Sequence, residues 1–160
     1  MELFNPRGDP MSETWKKGRG KLGFLQPLLG RWTATAAGDV MGPVRCTRVF
    51  ASILEGSYVR LEARWELGGG KVYEEEALIG AGDDGTVGFW SFTSDGKRSQ
   101  GTVKDVTDLH PEAVGFEAQM PAGLARMAYW PDEESGFVWV AESRNAKGWK
   151  RFVEHHYRPA

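Results

Sequence analysis

The chain has 160 residues, 41% of them apolar and 26% charged, with a formal net charge of −2 and one cysteine. That length fits one domain, and that apolar content is too high for a disordered chain. No block of like charge offers a footprint for nucleic acid or an anionic membrane, and no apolar run approaches the ~20 residues of a membrane-crossing helix.

Cys46 alone can form neither an internal disulfide nor a thiolate metal cluster. With Glu2, Arg7 and Asp9 where a signal peptide needs apolar residues, this fits a cytoplasmic protein. Met11 offers a second plausible start. Residues 1–21 therefore read as an extension, expected to be poorly ordered, and 22–160 as the folded domain. The domain opens on Leu22, Phe24, Leu25, Leu28 and Leu29, an apolar cluster interrupted by Pro27 that predicts one helical turn acting as a plug.

After Gly30 the hydrophobic period becomes two and stays there. Ten strands are predicted, near Arg31 to Asp39, Val44 to Ala51, Ser57 to Leu67, Lys71 to Ile79, Thr86 to Thr93, Lys97 to Val106, Ala113 to Met120, Leu124 to Trp130, Phe137 to Ser143 and Trp149 to Arg158. Gly-rich and Asx-rich turns such as Gly68-Gly69-Gly70, Asp83-Asp84-Gly85 and Ser94-Asp95-Gly96 separate them and supply the positive φ of tight hairpins. Successive hairpins make an up-and-down meander. The third strand alternates most cleanly, with Val59, Leu61, Ala63, Trp65 and Leu67 on one face and Tyr58, Arg60, Glu62, Arg64 and Glu66 on the other. With no helices to cover one apolar face per strand, closure buries the face and removes the edges. The prediction is an all-β closed antiparallel up-and-down barrel of eight to ten strands.

The segment Leu25-Gln26-Pro27-Leu28-Leu29-Gly30-Arg31-Trp32 resembles the lead-in to the first strand of lipocalin-like barrels, where a helical turn runs into a Gly-x-Trp signature. From Leu22 to Arg158 the layout is similar to small bacterial lipocalin-like (calycin-type) proteins of unknown function, distantly nitrobindin-like. The resemblance implies a barrel with an interior cavity and, through nitrobindin, a haem alternative. It also places a basic residue of the last strand, Arg158 or in reserve Arg151, across the Trp32 indole.

Candidate site residues follow from the strand faces. Trp65, Phe89, Phe116 and Trp139 are expected to point inward and line an aromatic pocket, with Arg126 orienting an acidic or carbonyl group, if it shares the inner face with Leu124, Ala128 and Trp130. The alternative facing sends Arg126 to water and Tyr129 inward. Glu75 stands on one face with Tyr73 and Ala77, either an inward carboxylate or part of a solvated run. His155 and His156 are adjacent on a strand, so at most one looks inward, where it could ligate haem iron.

The leading expectation is a barrel that binds a small hydrophobic or amphipathic molecule as carrier, sensor or storage protein, with no cofactor, no metal, no nucleic acid and no membrane partner. A homo-oligomer is compatible with it. The alternatives are a haem barrel acting on reactive nitrogen species, with His155 or His156 as axial ligand, and a ligand-free interaction module.

Overall fold

A computed structural model describes residues 15–38 and 42–160. Ten antiparallel strands close into one barrel: β1 (Gly30–Gly38), β2 (Gly42–Ile53), β3 (Tyr58–Glu66), β4 (Val72–Ala81), β5 (Val87–Thr93), β6 (Arg98–Lys104), β7 (Val114–Met120), β8 (Gly123–Pro131), β9 (Phe137–Asn145) and β10 (Gly148–Pro159). Every strand pairs with its sequence neighbours, and β1 pairs with β10 to close the ring. The all-β closed barrel expected from the period-two pattern is the fold. Helix among the described residues is confined to short 3-10 turns, and none is long and apolar enough to cross a membrane.

The plug forms as expected. A 3-10 turn, Gly23–Leu28, carries Pro27 inside it and buries Leu25 and Leu28 completely; each leucine contributes about 1.5–3 kcal/mol of burial. Trp32 ties the plug to β1, since its Nε1 donates to the Leu28 carbonyl at 2.7 Å. The expected disorder of residues 1–14 lies outside the described residues, as does Asp39, the last residue of the predicted first strand. Trp15, within the predicted extension, is buried against the plug and barrel core.

Register fixes which side chains enter the barrel. The inward set includes Cys46, Arg48 and Phe50 of β2, Ala63 and Trp65 of β3, Glu75 and Ala77 of β4, Phe89 and Ser91 of β5, Tyr129 of β8, Trp139 of β9, and His155 and Tyr157 of β10. At the plug end the interior is filled by rings: Phe137 packs edge-on to Trp32 at 4.9 Å and stacks on Tyr157 at 5.1 Å, and Phe116 meets Phe89 at 5.6 Å and Phe24 at 6.1 Å.

The outer wall is not uniformly wet. The connection between β6 and β7 folds back over β8 and β9, so that Val106, Ala113, Ala128, Val138 and Val140 form a second buried cluster outside the barrel, flanked by Leu109 and Trp130. Between β3 and β4 the outside is charged, with the exposed Arg60–Glu76 and Arg64–Glu74 pairs at 2.8 and 2.9 Å, whereas Trp90 and Phe92 of β5 leave apolar surface exposed.

The turn between β8 and β9 depends on Gly136. Its φ is +71°, and a Cβ there would press into the Tyr157 carbonyl of β10. Gly136→Ala is expected to cost at least ~2 kcal/mol, from left-handed strain plus displacement of β10, and to lower the thermal midpoint by several degrees. A melt matching the parent would show that this turn yields freely.

Candidate functional site

The inward faces of β2, β3, β8, β9 and β10 converge on one guanidinium. Arg48 is 1% exposed. Its Cζ lies 4.1 Å from the ring centre of Trp139 and 5.6 Å from that of Trp65. Nε donates to the Tyr157 hydroxyl at 3.2 Å and Nη1 to the Tyr129 hydroxyl at 3.0 Å. Among the described residues Nη2 has no partner, and neither do two other buried polar atoms of this cluster, Trp139 Nε1 and His155 Nδ1. His155 tilts against Trp139 with ring centres 5.3 Å apart. No carboxylate of the described residues lies within ion-pairing distance of Arg48.

A buried cation normally acquires a carboxylate, because desolvation otherwise goes uncompensated. Here burial works against the charge, but the Tyr129 and Tyr157 oxygens and the more distant Glu75 carboxylate outweigh it and hold the Arg48 pKa above its usual value. The site therefore keeps a positive charge among rings. Around it the other groups are held neutral: burial pushes the Tyr129 hydroxyl up to about 12 and the Cys46 thiol up to about 11. Burial, reinforced by the fields of Arg48 and His156, pushes His155 down to about 4.

Glu75 is the inward carboxylate of the two readings its alternation allowed. Its Oε2 accepts from the Ser91 hydroxyl at 2.5 Å. Further round the barrel the inward faces mix larger side chains such as Phe89, Phe116 and Met127 with small ones, Ala77 paired to Ser91, Ser91 to Ser99, and Ala118 to Ala125.

Of the predicted site residues, Trp65, Phe89, Phe116 and Trp139 all face inward. Trp65 and Trp139 flank Arg48, whereas Phe89 and Phe116 pack with Phe24 of the plug. Arg126 corrects the expected facing. It points outward, pairs with Glu142 at 2.8 Å and with Asp108 at 2.9 Å, and lies 4.4 Å from the Trp149 ring. Its neighbours Ala128 and Trp130 are apolar because the β6–β7 connection covers them, and Tyr129 is the residue that enters the barrel.

The histidines divide as adjacency requires. His155 faces in, and His156 faces out, with Nδ1 2.8 Å from Asp132 and Nε2 2.9 Å from Glu154. Arg158 is a further correction. β1 and β10 do pair, but Arg158 stands opposite Thr33, one step out of phase with Trp32, and bonds Asp132 at 2.9 Å and the Ser135 carbonyl at 2.9 Å. Arg151 goes to Glu142 and Glu154 instead.

The two histidines predict opposite pH responses. His155 has its folded pKa below the unfolded value of about 6.5, so its contribution is whole above that pH and is lost as pH falls toward about 4. The shift corresponds to ~3 kcal/mol in total. His156 is raised by Glu154 and Asp132, so its contribution is whole below about 6.5 and fades as pH rises through the folded value. Urea denaturation across this range should show the acid-side loss reduced in His155→Phe and the neutral-side loss reduced in His156→Gln. Unchanged profiles in both variants would contradict the assignment.

The fold and its interior define a class: a closed ten-stranded antiparallel barrel with a charged, ring-lined cluster inside. No protein-family model matches the chain, and no curated protein matches it. Among solved structures it is similar to a de novo designed fluorescence-activating β-barrel, with 18% identity over 62% of this chain and 88% of that one and a TM-score of 0.40.

Proposed function

We propose that this chain is a small-molecule-binding barrel of the lipocalin-like kind, acting as carrier, sensor or storage protein, with its ligand inside against Arg48 and Trp139. What supports the reading is one observation: a fully buried guanidinium with an N–H that has no partner among the described residues, beside a second such donor on Trp139. Buried donors left open cost about 1–3 kcal/mol each, more when charged, and a ligand acceptor relieves that cost. Trp65, Trp139 and Tyr129 supply the apolar contact, and Phe89 and Phe116 close the plug end behind them.

Native mass spectrometry of freshly purified protein tests this. The expected result is retained added mass, or saturable uptake of the neutral apolar dye Nile red with quenching of tryptophan emission, both weakened in Arg48→Met and Trp139→Ala. Absence of both retained mass and dye uptake would overturn the reading in favour of a filled, ligand-free module.

The haem alternative rests on His155, the inward histidine with an open Nδ1. The residues around it do not fit a macrocycle: Trp139 and Tyr157 stand 5.3 and 6.0 Å from its ring, and Arg48 sits against Trp139. A Soret band with added hemin that is lost in His155→Ala would restore that alternative.

A further inference from the structure

We infer that the end of the barrel opposite the plug docks on an anionic lipid surface. An up-and-down barrel sends alternate turns to alternate ends, and here the two ends differ in sign. The β3–β4, β5–β6, β7–β8 and β9–β10 turns stand away from the plug and, with three strand residues on either side of each, hold seven cations and three carboxylates. The plug-side turns β2–β3, β4–β5, β6–β7 and β8–β9, bounded in the same way, hold two cations and nine carboxylates. At the positive end Arg64 pairs with Glu66 at 3.8 Å and with Glu74 at 2.9 Å. Of the three carboxylates that leaves Asp95. The other six cations, Lys71, Lys97, Arg98, Arg144, Lys147 and Lys150, are exposed and form no ion pair with a described residue. No run of like charge marks this rim in the sequence, because folding assembles it from three separate stretches.

The kind of partner follows from the layout. Cations spread round the rim of a closed barrel suit a flat anionic surface, whereas a nucleic-acid strand is tracked along a groove. Apolar side chains interrupt the same rim: Pro121 and Ala122 are exposed, and Val72 and Phe92, beside the β3–β4 and β5–β6 turns, are 40% and 53% exposed. They match the boundary between headgroups and acyl chains. A second copy is a poorer match, because the lead-in sets Arg19 and Lys21 on its acidic end, with Lys21 bonded to the Gly85 carbonyl of the β4–β5 turn at 3.0 Å. The formal charge of the whole chain is −2, so an anionic surface repels the molecule unless the basic rim is turned toward it.

Co-sedimentation of the full chain with vesicles tests this, using phosphatidylcholine alone and an equimolar mixture with phosphatidylglycerol. Each cation held near an anionic leaflet strengthens binding roughly fivefold. The mixed vesicles should therefore bind at least about tenfold more tightly than phosphatidylcholine, and the advantage should vanish at high salt. Lys147→Gln combined with Lys150→Gln should weaken that binding about tenfold or more. Lys17→Gln combined with Arg19→Gln removes the same charge beside Gly18, whose amide bonds the Gly23 carbonyl of the plug at 2.7 Å, and should change it by no more than about twofold. All four side chains are exposed, so both double variants should keep the parent's thermal midpoint. Equal uptake by the two kinds of vesicle, uptake by neither, or equal losses in the two double variants overturns the assignment. Salt-sensitive self-association in sedimentation velocity, lost in the Lys147 and Lys150 variant, would seat a second copy on the rim and overturns it as well.

Discussion

Phe137→Ala is expected to remove about 3–5 kcal/mol of stability, the range for truncating a fully buried aromatic ring. Phe137 has no exposed surface and is the hub of the plug end: Trp32, Phe50, Tyr129 and Tyr157 all contact it, with ring centres 4.9 to 6.5 Å away. Four neighbours from β1, β2, β8 and β10 lose a partner together, and a barrel wall held by hydrogen bonds cannot collapse into the space. Against a domain stability of about 5–15 kcal/mol, one ring is a large share. Phe137→Leu keeps most of the volume and should cost under ~1.5 kcal/mol. Urea denaturation with an unchanged slope would report both values. Losses below 1 kcal/mol for both variants would mean that the plug end is far looser than its ring contacts imply.

Glu142→Ala should be nearly as damaging, about 3–5 kcal/mol, for an electrostatic reason. The carboxylate is buried outside the barrel and serves two guanidiniums, Arg126 at 2.8 Å and Arg151 at 2.9 Å. Without it Arg126, whose side chain is 6% exposed, keeps only the partly exposed Asp108. A buried charge is then left short of its partner. The exposed pair Arg64–Glu74 is a control of the same geometry, and breaking it should cost at most ~1 kcal/mol. A double variant, Arg126→Met with Glu142→Leu, removes both charges and should recover much of the loss. If Glu142→Ala costs no more than the Arg64 control, the network under the β6–β7 connection does not hold that segment down.

How far the sequence reveals this protein depends on which strand is read. β3 carries polar or half-buried residues on its outer side and faces water from Glu62 onward, so its alternation assigns Val59 through Trp65 correctly from residue types alone. β8 has two apolar faces, because the β6–β7 connection covers the outer one, and alternation there cannot tell Arg126 from Tyr129. β10 carries a bulge between Arg151 and Val153 that shifts the phase. Trp149, which by simple counting travels with Val153 and Tyr157, ends outside against Arg126.

Arg48 is the residue that sequence reasoning passes over, though a signal existed. Cys46, Arg48 and Phe50 occupy alternate positions of one strand, so a cation stands on a face otherwise apolar. Its meaning emerges only when register brings Tyr129, Trp139 and Tyr157 from between 81 and 109 residues away, a long-range fact that local pattern does not encode.

The join between first and last strands is brief. β1 shares nine residue pairs with β2, from Gly30↔Phe50 to Gly38↔Gly42, but only two with β10, Trp32↔Pro159 and Thr33↔Arg158, supplemented by the Ala160 amide on the Arg31 carbonyl at 3.0 Å. All other pairings are hairpins between sequence neighbours, formed without large loop-closure entropy, so the contact order is low for an all-β chain and folding should be correspondingly quick until the ends must meet. The final zipping is then the slow, entropy-limited event. The same two pairs are also where native-state opening is expected to begin, so amide exchange at Thr33 and Arg158 should outpace that of the β3–β4 ladder by orders of magnitude.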